Sequence, residues 1–245
     1  MAIAVDQALA KVIDENSTEG GLTVTSASFT APANSVLLVC FYGDTNNNGG
    51  TPTVTVTNTG TSLTWNLIQI RAIGDSGATE GYAGAHYAVN ASSQTITVTT
   101  TTTVINQNNQ KSLVAKVYVL TGADTTTPLD TSNEGSSTTN NLTTTSITAA
   151  GNGLFFAVGN DWNARGAPTS ADLTVDSYHN GSIGSATSGY KTVSAGTVNG
   201  NLDGSGGAAC DWNWISFIIK EAGGAGGGLS IPVAMRNYRK RRLLV

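Results

Sequence analysis

Apolar and polar residues alternate along most of this chain with a period of two, which marks β-strands buried on one face. The alternation predicts strands over residues 22–29, 53–57, 63–70 and 95–99. Residues 35–42 form a continuous apolar run, typical of a central strand buried on both faces. Further strands are predicted over residues 82–89, 113–120, 154–158, 173–178 and 214–219. The pattern therefore indicates an all-β, antiparallel protein whose short strands are joined by loops rich in Gly and Asn.

The N-terminal segment, residues 2–14, is the one ambiguous element. Ile3, Leu9, Val12 and Ile13 recur at spacings that partly fit an amphipathic helix. An edge strand fits the same residues, and we favour it because every later segment has the strand pattern.

Two stretches of the chain share the same order of features. An apolar strand, a loop rich in Gly and Asn, a proline and an alternating strand occur over residues 37–67 and again over residues 154–175. An internal duplication would place two similar halves face to face. Chance similarity explains the match equally well in a chain so rich in threonine.

Composition and charge exclude several classes of protein. Charged residues make up 11% of the chain, against about 25% in an ordinary soluble domain. Five of the 12 basic residues lie in residues 229–245, so the other 7 face 16 acidic residues and the body carries a charge of about −9. Because such a body repels phosphate, we expect no nucleic-acid-binding domain. The chain also lacks a signal-peptide pattern and any apolar run of about 18 residues, so we expect no general export and no membrane partner.

The two cysteines, Cys40 and Cys210, each border on an apolar strand, and their spacing fits neither a zinc site nor a redox motif. We interpret them as buried free thiols that pack as small apolar residues. A disulfide between them remains the alternative.

No set of residues has the spacing of a catalytic or metal site. His86 lies in an alternating strand, His179 in a predicted turn, and no Gly-x-Ser-x-Gly motif is present. The carboxylates are scattered through loops, so no pair for glycoside hydrolysis can be assigned. Residues 44–48 and 124–130 carry oxygen ligands of the kind that calcium prefers, but we interpret the first as an ordinary Asn/Gly loop and the second as a turn. We therefore expect no enzyme, no cofactor and no metal.

Exposed aromatic rings are the usual platforms for carbohydrate on a β-sandwich, so the tryptophans are the candidates. Trp65 has the phase of the leucines in its strand, which predicts a core position. Trp212 and Trp214 alternate with the apolar residues of the last strand, and we expect their face of that strand to point away from the core. Trp162 lies in a loop and is the candidate glycan platform, with packing beneath its own loop as the alternative.

Three parts of the chain carry a resemblance to a known family. They are residues 33–39 with 51–54 and 63–65, the segment 118–130, and the aromatic strand 212–220. Together they resemble a jelly-roll-like sandwich family of tailed bacteriophages and prophages, and residues 231–239 resemble the C-terminus of small phage structural proteins. The resemblance covers residues 20–221 and the tail. It implies a virion surface, tail or adhesion component with no shared catalytic residues.

The C-terminal arm, residues 229–245, is the candidate partner-binding segment. It follows a Gly-rich linker at residues 223–228 and has apolar residues at both ends of a basic centre. Its ends would fill grooves on a partner while its cations meet an acidic surface. The predicted partner-binding residues are Arg236, Tyr238, Arg239, Lys240, Arg241, Arg242, Leu243 and Leu244. A disordered basic tail and an arm that binds packaged nucleic acid are the alternatives.

These observations predict one jelly-roll-like antiparallel β-sandwich over residues 1–222, followed by the linker and the arm. We expect a non-enzymatic bacteriophage virion protein, made in the host cytoplasm. It would be exposed on the particle as a capsid decoration or as a tail- or fibre-associated protein. Its partners would be other virion proteins and its own copies. The alternative function is a carbohydrate-binding or adhesive module that recognises a host surface glycan.

Overall fold

The fold is known from a computed structural model. It describes residues 2–16, 21–43, 51–74, 80–103, 111–137, 141–161, 170, 172–180, 185–203 and 212–223.

Within these residues the chain forms twenty strands and no helix, so the all-β prediction is confirmed. The first half of the chain contains β1 (Ala4–Ala8), β2 (Val12–Asn16), β3 (Leu22–Thr25), β4 (Phe29–Ala31), β5 (Ser35–Gly43), β6 (Val54–Asn58), β7 (Asn66–Gly74), β8 (Glu80–Asn90), β9 (Gln94–Ile96), β10 (Val98–Thr102) and β11 (Lys111–Thr121). The second half contains β12 (Leu129–Ser137), β13 (Asn141–Thr143), β14 (Ile147–Ala149), β15 (Gly153–Asp161), β16 (Thr174–Asn180), β17 (Ser185–Val193), β18 (Gly196–Val198), β19 (Asn201–Asp203) and β20 (Trp212–Lys220).

Each half is built around one large antiparallel sheet. The strand order is β1-β11-β5-β8-β7 in the first half, where β2 also pairs with β11. It is β12-β20-β15-β17-β16 in the second half. The central strands β5 and β15 are buried along their whole length, as the continuous apolar run at residues 35–42 predicts.

Smaller sheets cover the outer side of each large sheet, with orders β3-β10-β6 and β4-β9 in the first half and β13-β19 and β14-β18 in the second. The pairs β1/β2, β3/β4 and β9/β10 each act as one interrupted strand, which leaves eight strands in the first half. Their order is then 1-8-3-6-5 in the large sheet and 2-7-4 in the small sheet. This is jelly-roll connectivity, with the fifth strand moved to the edge of the large sheet.

The second half repeats this topology, apart from β6, whose equivalent position falls outside the described residues. The sequence before the central strand repeats too: residues 28–34 read Ser-Phe-Thr-Ala-Pro-Ala-Asn and residues 146–152 read Ser-Ile-Thr-Ala-Ala-Gly-Asn. A β-bulge interrupts β7 at Ile68 and β16 at Asp176, which is the same position in both halves. The structure therefore favours internal duplication over chance similarity.

The two large sheets pack face to face and bury a core between the halves. In this interface core, Leu38 and Tyr118 of the first half lie in one cluster with Phe156 and Phe217 of the second. The rings of Phe156 and Phe217 are stacked, with centroids 5.3 Å apart and planes at 9°. Each half has a further core between its own large and small sheets. The chain is thus a stack of four β-layers with three apolar cores.

The strands that the sequence predicts carry most of the core. Within them, the following apolar side chains are at most 2% exposed: Leu37, Val39, Phe41, Val117, Val119, Phe155 and Phe217. Trp65 is partly buried against the core of the first half, ahead of the start of β7. Leu67 has the same strand phase but is 51% exposed, because it lies on the edge strand of its sheet beside the bulge. The N-terminal segment forms β1 and β2 at the other edge, so the strand interpretation of residues 2–14 is confirmed.

The prediction that Trp212 and Trp214 face away from the core is wrong. Both side chains are buried, at 2% and 3% exposure, within the core of the second half. The prediction assumed that the last strand has one buried face, whereas β20 lies between two cores. Gly135 on the neighbouring strand makes room for Trp214, since an added Cβ there would lie 2.4 Å from the indole ring.

Candidate functional site

Several predicted site residues lie outside the described residues. They are Trp162, the calcium candidate at residues 44–48, Cys210 and all residues of the arm, 229–245. The partner-binding residues Arg236, Tyr238, Arg239, Lys240, Arg241, Arg242, Leu243 and Leu244, and the domain boundary near residue 222, therefore stay predictions. The polar groups that the structure does bring together lie at the interface between the two halves.

Lys116 and Asp176 form an ion pair across this interface, in which the lysine is buried and the aspartate is partly exposed. Lys116 lies on β11 of the first half and is 7% exposed, and Asp176 lies at the bulge of β16 in the second half. The Lys116 Nζ is 2.8 Å from Oδ2 of Asp176 and donates a 2.8 Å hydrogen bond to its backbone carbonyl oxygen. The same Nζ lies 5.6 Å from the centre of the Tyr118 ring, a cation–π distance. The ammonium group is thus held entirely by groups inside the protein.

Two further contacts join the halves on this same flank. The Nε2 atom of His179 lies 2.6 Å from Oε1 of Glu15, and Nζ of Lys11 donates to the carbonyl oxygen of Tyr178. Burial lowers the pKa of Lys11, and the charge of Lys116 lowers it further. The turn predicted at His179 is wrong, because the residue lies within β16, which pairs with β17. The contact with Glu15 gives the polar side chain of His179 a partner at this position of the strand.

The opposite flank of the interface has a second polar set. Glu134 on β12 accepts a 2.9 Å hydrogen bond from Nε2 of Gln69 and a 3.5 Å contact from Nη1 of Arg71, both on β7. Ser132 donates to Oε1 of Gln69 at 3.2 Å. These groups are partly exposed, so solvent weakens their contribution to stability.

The duplication shows that the Lys116–Asp176 pair is confined to one flank. In the register of the two large sheets, Lys116 pairs with Cys40 as Ile215 pairs with Val158, so Lys116 and Ile215 hold equivalent positions. Asp176 and Ile68 are the two bulge residues. Where one flank has an ion pair, the other therefore has two isoleucines, both within the interface core.

Three weakly acidic side chains are also sealed in the interface. Burial raises the pKa of the Cys40 thiol, of the Tyr42 phenol and of the Tyr118 phenol. The Tyr42 hydroxyl bonds Ser177 at 2.7 Å and the Tyr118 hydroxyl bonds Ser188 at 2.8 Å, both across the interface. Cys40 is a buried free thiol, as predicted. These groups tie the two halves together, and their burial removes them from contact with a substrate.

His86 connects two sheets of the first half. Its Nε2 lies 3.1 Å from the carbonyl oxygen of Val54, and its ring packs 5.6 Å from that of Phe41. Burial lowers the pKa of His86, which favours the neutral imidazole. This confirms the prediction of a sheet-face histidine, and the contacts that the structure gives are those of a packing residue.

Asp124 closes a turn, as predicted for residues 124–130. Its Oδ1 accepts hydrogen bonds from the backbone N–H groups of Thr126 and Thr127, and these bonds lower the pKa of the carboxyl group. Within the described segments, no group of three or more His, Cys, Asp and Glu residues could hold a metal ion.

Threonine side chains cover the outer face of the small sheet β3-β10-β6. Cross-strand hydroxyl pairs join Thr23 to Thr101 at 3.1 Å and Thr25 to Thr99 at 2.9 Å. Two similar pairs join Thr30 to Thr95 in the neighbouring sheet β4-β9, at 3.0 Å, and Thr59 to Thr97 next to β6 and β10, at 3.2 Å. Such pairs stabilise a sheet, and they leave an outward face of methyl and hydroxyl groups without charge.

An open cleft of about 440 Å³ lies at one end of the first half. Its lining has hydroxyl, amide and small apolar groups and no charged side chain: Thr61, Ser62, Leu63, Thr64, Asn66, Val89, Asn90, Ala91, Ser92 and Gln94. Asn90 and Gln94 already bond each other at 2.8 Å, which leaves exposed groups such as Asn66 and Ser92 for a ligand. This chemistry suits a neutral, hydroxylated molecule.

Sequence reasoning did not single out Lys116 or Asp176. One signal was available, because Lys116 is the only charged residue in the apolar run at residues 113–120. A charge in a central strand requires a partner. The identity of that partner depends on how the sheets pack and could not be read from spacing.

Comparison with known proteins found no relatives. No protein-family model, curated protein or solved structure matches the chain. In the part of the chain that the structure describes, there is no helix long and apolar enough to cross a membrane.

Proposed function

We propose that this chain is a non-enzymatic structural protein of a bacteriophage virion, exposed on the particle and anchored through residues 229–245. The observation that carries the proposal is the tandem jelly roll, whose buried ionisable groups join its two halves. A chain whose buried Lys116, Tyr42 and Tyr118 bond across the interface in this way is built as a rigid block.

The fold supports this proposal by analogy. Jelly rolls recur in viral capsid and lectin domains, although a fold alone does not fix a function. The resemblance of the sequence to phage structural proteins points in the same direction. The basic arm after an acidic body supplies a means of attachment, because Arg236, Arg239 and Lys240 would bind an acidic surface.

Further copies of the chain and other virion proteins are the proposed partners. The uncharged threonine face offers a surface that does not repel a neighbour electrostatically. The exposed Leu67 and Ile13, at 51% and 41%, lie on edge strands, which commonly take part in association.

The direct test is to purify particles from a producing host on a density gradient and to identify their proteins by mass spectrometry. The proposal requires the chain to migrate with intact particles at a fixed copy number and to remain with them through a second gradient. Recovery only in the particle-free fractions would overturn it. Whether the location is capsid or tail would follow from gold labelling of the tagged chain in electron micrographs.

A second candidate function, binding of a host surface glycan, is favoured by the uncharged cleft near Asn66. Its volume of about 440 Å³ suits a small saccharide unit. On a glycan array, a hit that Asn66→Ala and Ser92→Ala weaken would support this function at the cleft. A hit that only Trp162→Ala abolishes would move the site to the predicted aromatic platform. No hit for the intact chain would remove this candidate.

A further inference from the structure

We propose that Lys116 and Asp176 form a recognition pair that makes each half of the chain select the other half and reject a second copy of itself. The partner surface is the inner face of the large sheet, which is covered by the opposite half. The inference concerns how the chain assembles and does not depend on the proposed function.

The duplication creates the need for such selection. The two halves have the same topology, and each presents the apolar inner face of its large sheet. Faces of similar shape are able to pair in three ways: first half with second, first with first, or second with second. Apolar burial alone discriminates poorly between these pairings because it has no direction.

In the observed pairing, the two charges satisfy each other. The Lys116 ammonium meets both the carboxylate and the backbone carbonyl of Asp176. On the opposite flank, Ile215 and Ile68 occupy the equivalent positions and belong to the same apolar cluster. The two charged side chains therefore pair with each other, and the two isoleucines lie together in the apolar cluster.

The other two pairings break this match. If two first halves met in the same geometry, Lys116 of each would face Ile68 of the other and have no counter-charge. If two second halves met, Asp176 of each would face Ile215. By two-fold symmetry each mispaired complex contains this fault twice. A buried charge without a partner is strongly unfavourable, so both wrong pairings are disfavoured.

The contact of Glu15 does not make this choice. Arg71 and His179 hold equivalent positions, each three residues beyond the bulge residue of its strand. Glu15 would therefore meet a basic side chain in a wrong pairing as it does in the correct one. The selection by charge therefore rests on Lys116 and Asp176, which predicts that replacement of this pair by isoleucine weakens the selection and keeps the fold.

The test is refolding of the intact chain at increasing protein concentration, followed by size-exclusion chromatography with light scattering. The variant K116I/D176I reproduces on one flank the isoleucine pair that the other flank already has. We expect the wild type to refold to one species, and the variant to lose that species to larger oligomers as concentration rises. The same wild-type profile for the variant, with a cooperative melt, would overturn the proposal.

Three further variants separate this effect from a general loss of charge. K191A/D172A removes an ion pair of 2.6 Å that lies within the second half, and it should keep the wild-type profile. K116D/D176K keeps opposite charges at the two positions and should refold as the wild type does. K116I alone leaves Asp176 without its counter-charge in the correct pairing and removes the unpaired lysine from a pairing of first halves, so it should form oligomers at lower protein concentration than the wild type does. Oligomers in the K191A/D172A control equal to those of K116I/D176I would contradict the proposal.

Discussion

Lys116 on β11 and Asp176 on β16 form a 2.8 Å ion pair that joins the two halves of the chain. The equivalent positions on the opposite flank are Ile215 and Ile68, both in the interface core. The same interface thus has an ion pair on one flank and two isoleucines at the equivalent positions of the other flank. Replacing the ion pair by the isoleucines of the other flank therefore measures how much free energy of unfolding the ion pair costs or contributes.

Stability should respond to this pair in a strongly non-additive way. Asp176→Ile leaves the buried Lys116 without its partner and should cost about 3–5 kcal/mol, whereas Lys116→Ile leaves the partly exposed Asp176 and should cost less. The double substitution should be close to neutral or stabilising, because well-packed apolar residues often replace a buried ion pair without loss. Urea denaturation of the four proteins in a double-mutant cycle measures the coupling. An Asp176→Ile variant that loses less than about 1 kcal/mol would contradict the burial of Lys116.

Truncation of core phenylalanines should destabilise the second half and the interface between the halves. Phe155 and Phe217 are fully buried, in the core of the second half and in the interface core respectively. Phe→Ala at either position should lower the free energy of unfolding by about 3–5 kcal/mol. Leu67→Ala is the control and should change it by less than about 0.5 kcal/mol, because Leu67 is exposed. Near-neutral melts for both phenylalanine variants would mean that the strand phases are wrong.

Gly135→Ala tests the burial of Trp214. The added methyl group would lie 2.4 Å from a ring atom that has little room to move, and the clash should cost about 1–3 kcal/mol. Gly151→Ala is the matched control, since an added Cβ there meets no atom within 4 Å. Thermal melts of the two variants should separate clearly. Equal melting temperatures would show that Trp214 does not pack on Gly135.

The fold should lose stability in alkaline solution. Burial raises the pKa of Cys40, Tyr42 and Tyr118 above the values of about 8.5 for free Cys and about 10 for free Tyr. Raised values stabilise the fold below the unfolded pKa, and this contribution is lost as pH rises toward the folded pKa. The free energy of unfolding should therefore fall above about pH 8.5, and more steeply above about pH 10, by up to about 1.4 kcal/mol per pH unit and group.

Variants isolate these groups, because the lowered pKa of Lys11 acts in the opposite direction. Tyr42→Phe and Tyr118→Phe should each lose less stability than the wild type between about pH 9 and about pH 11. The measurement is urea denaturation at a series of pH values. Curves for the variants that run parallel to the wild type would contradict the burial of these phenols in the neutral form.

The sequence predicted the strands that consist mainly of apolar residues. The apolar runs at residues 35–42 and 214–219 correspond to β5 and β20. It did not predict β12, which reads Leu-Asp-Thr-Ser-Asn-Glu-Gly-Ser-Ser and is held in place by its pairing with β20. Polar strands of this kind form because a neighbour offers hydrogen bonds, and that information lies elsewhere in the chain.

The interface between the two halves was harder to predict than the strands, because its contacts also join residues that are far apart in the sequence. Phase reasoning places Trp212 and Trp214 opposite Ile215, which is correct, but cannot tell whether a second core covers them. The pairing of Lys116 with Asp176 depends on how two sheets that are distant in the sequence pack on each other. Weak repetition, such as Asn34 and Asn152 before the two central strands, was the available sign of this arrangement.

The most direct test of the proposed function is deletion of residues 229–245 in a chain assayed for attachment to purified particles. The three cores lie within the described residues, so the truncated chain should keep the melting temperature of the full chain. Its attachment, measured by co-sedimentation with particles, should be abolished. Attachment that survives the deletion but weakens with rising salt would place the contact on the body of the protein. Truncated chain that sediments with particles as fully as the intact chain would contradict the role of the arm.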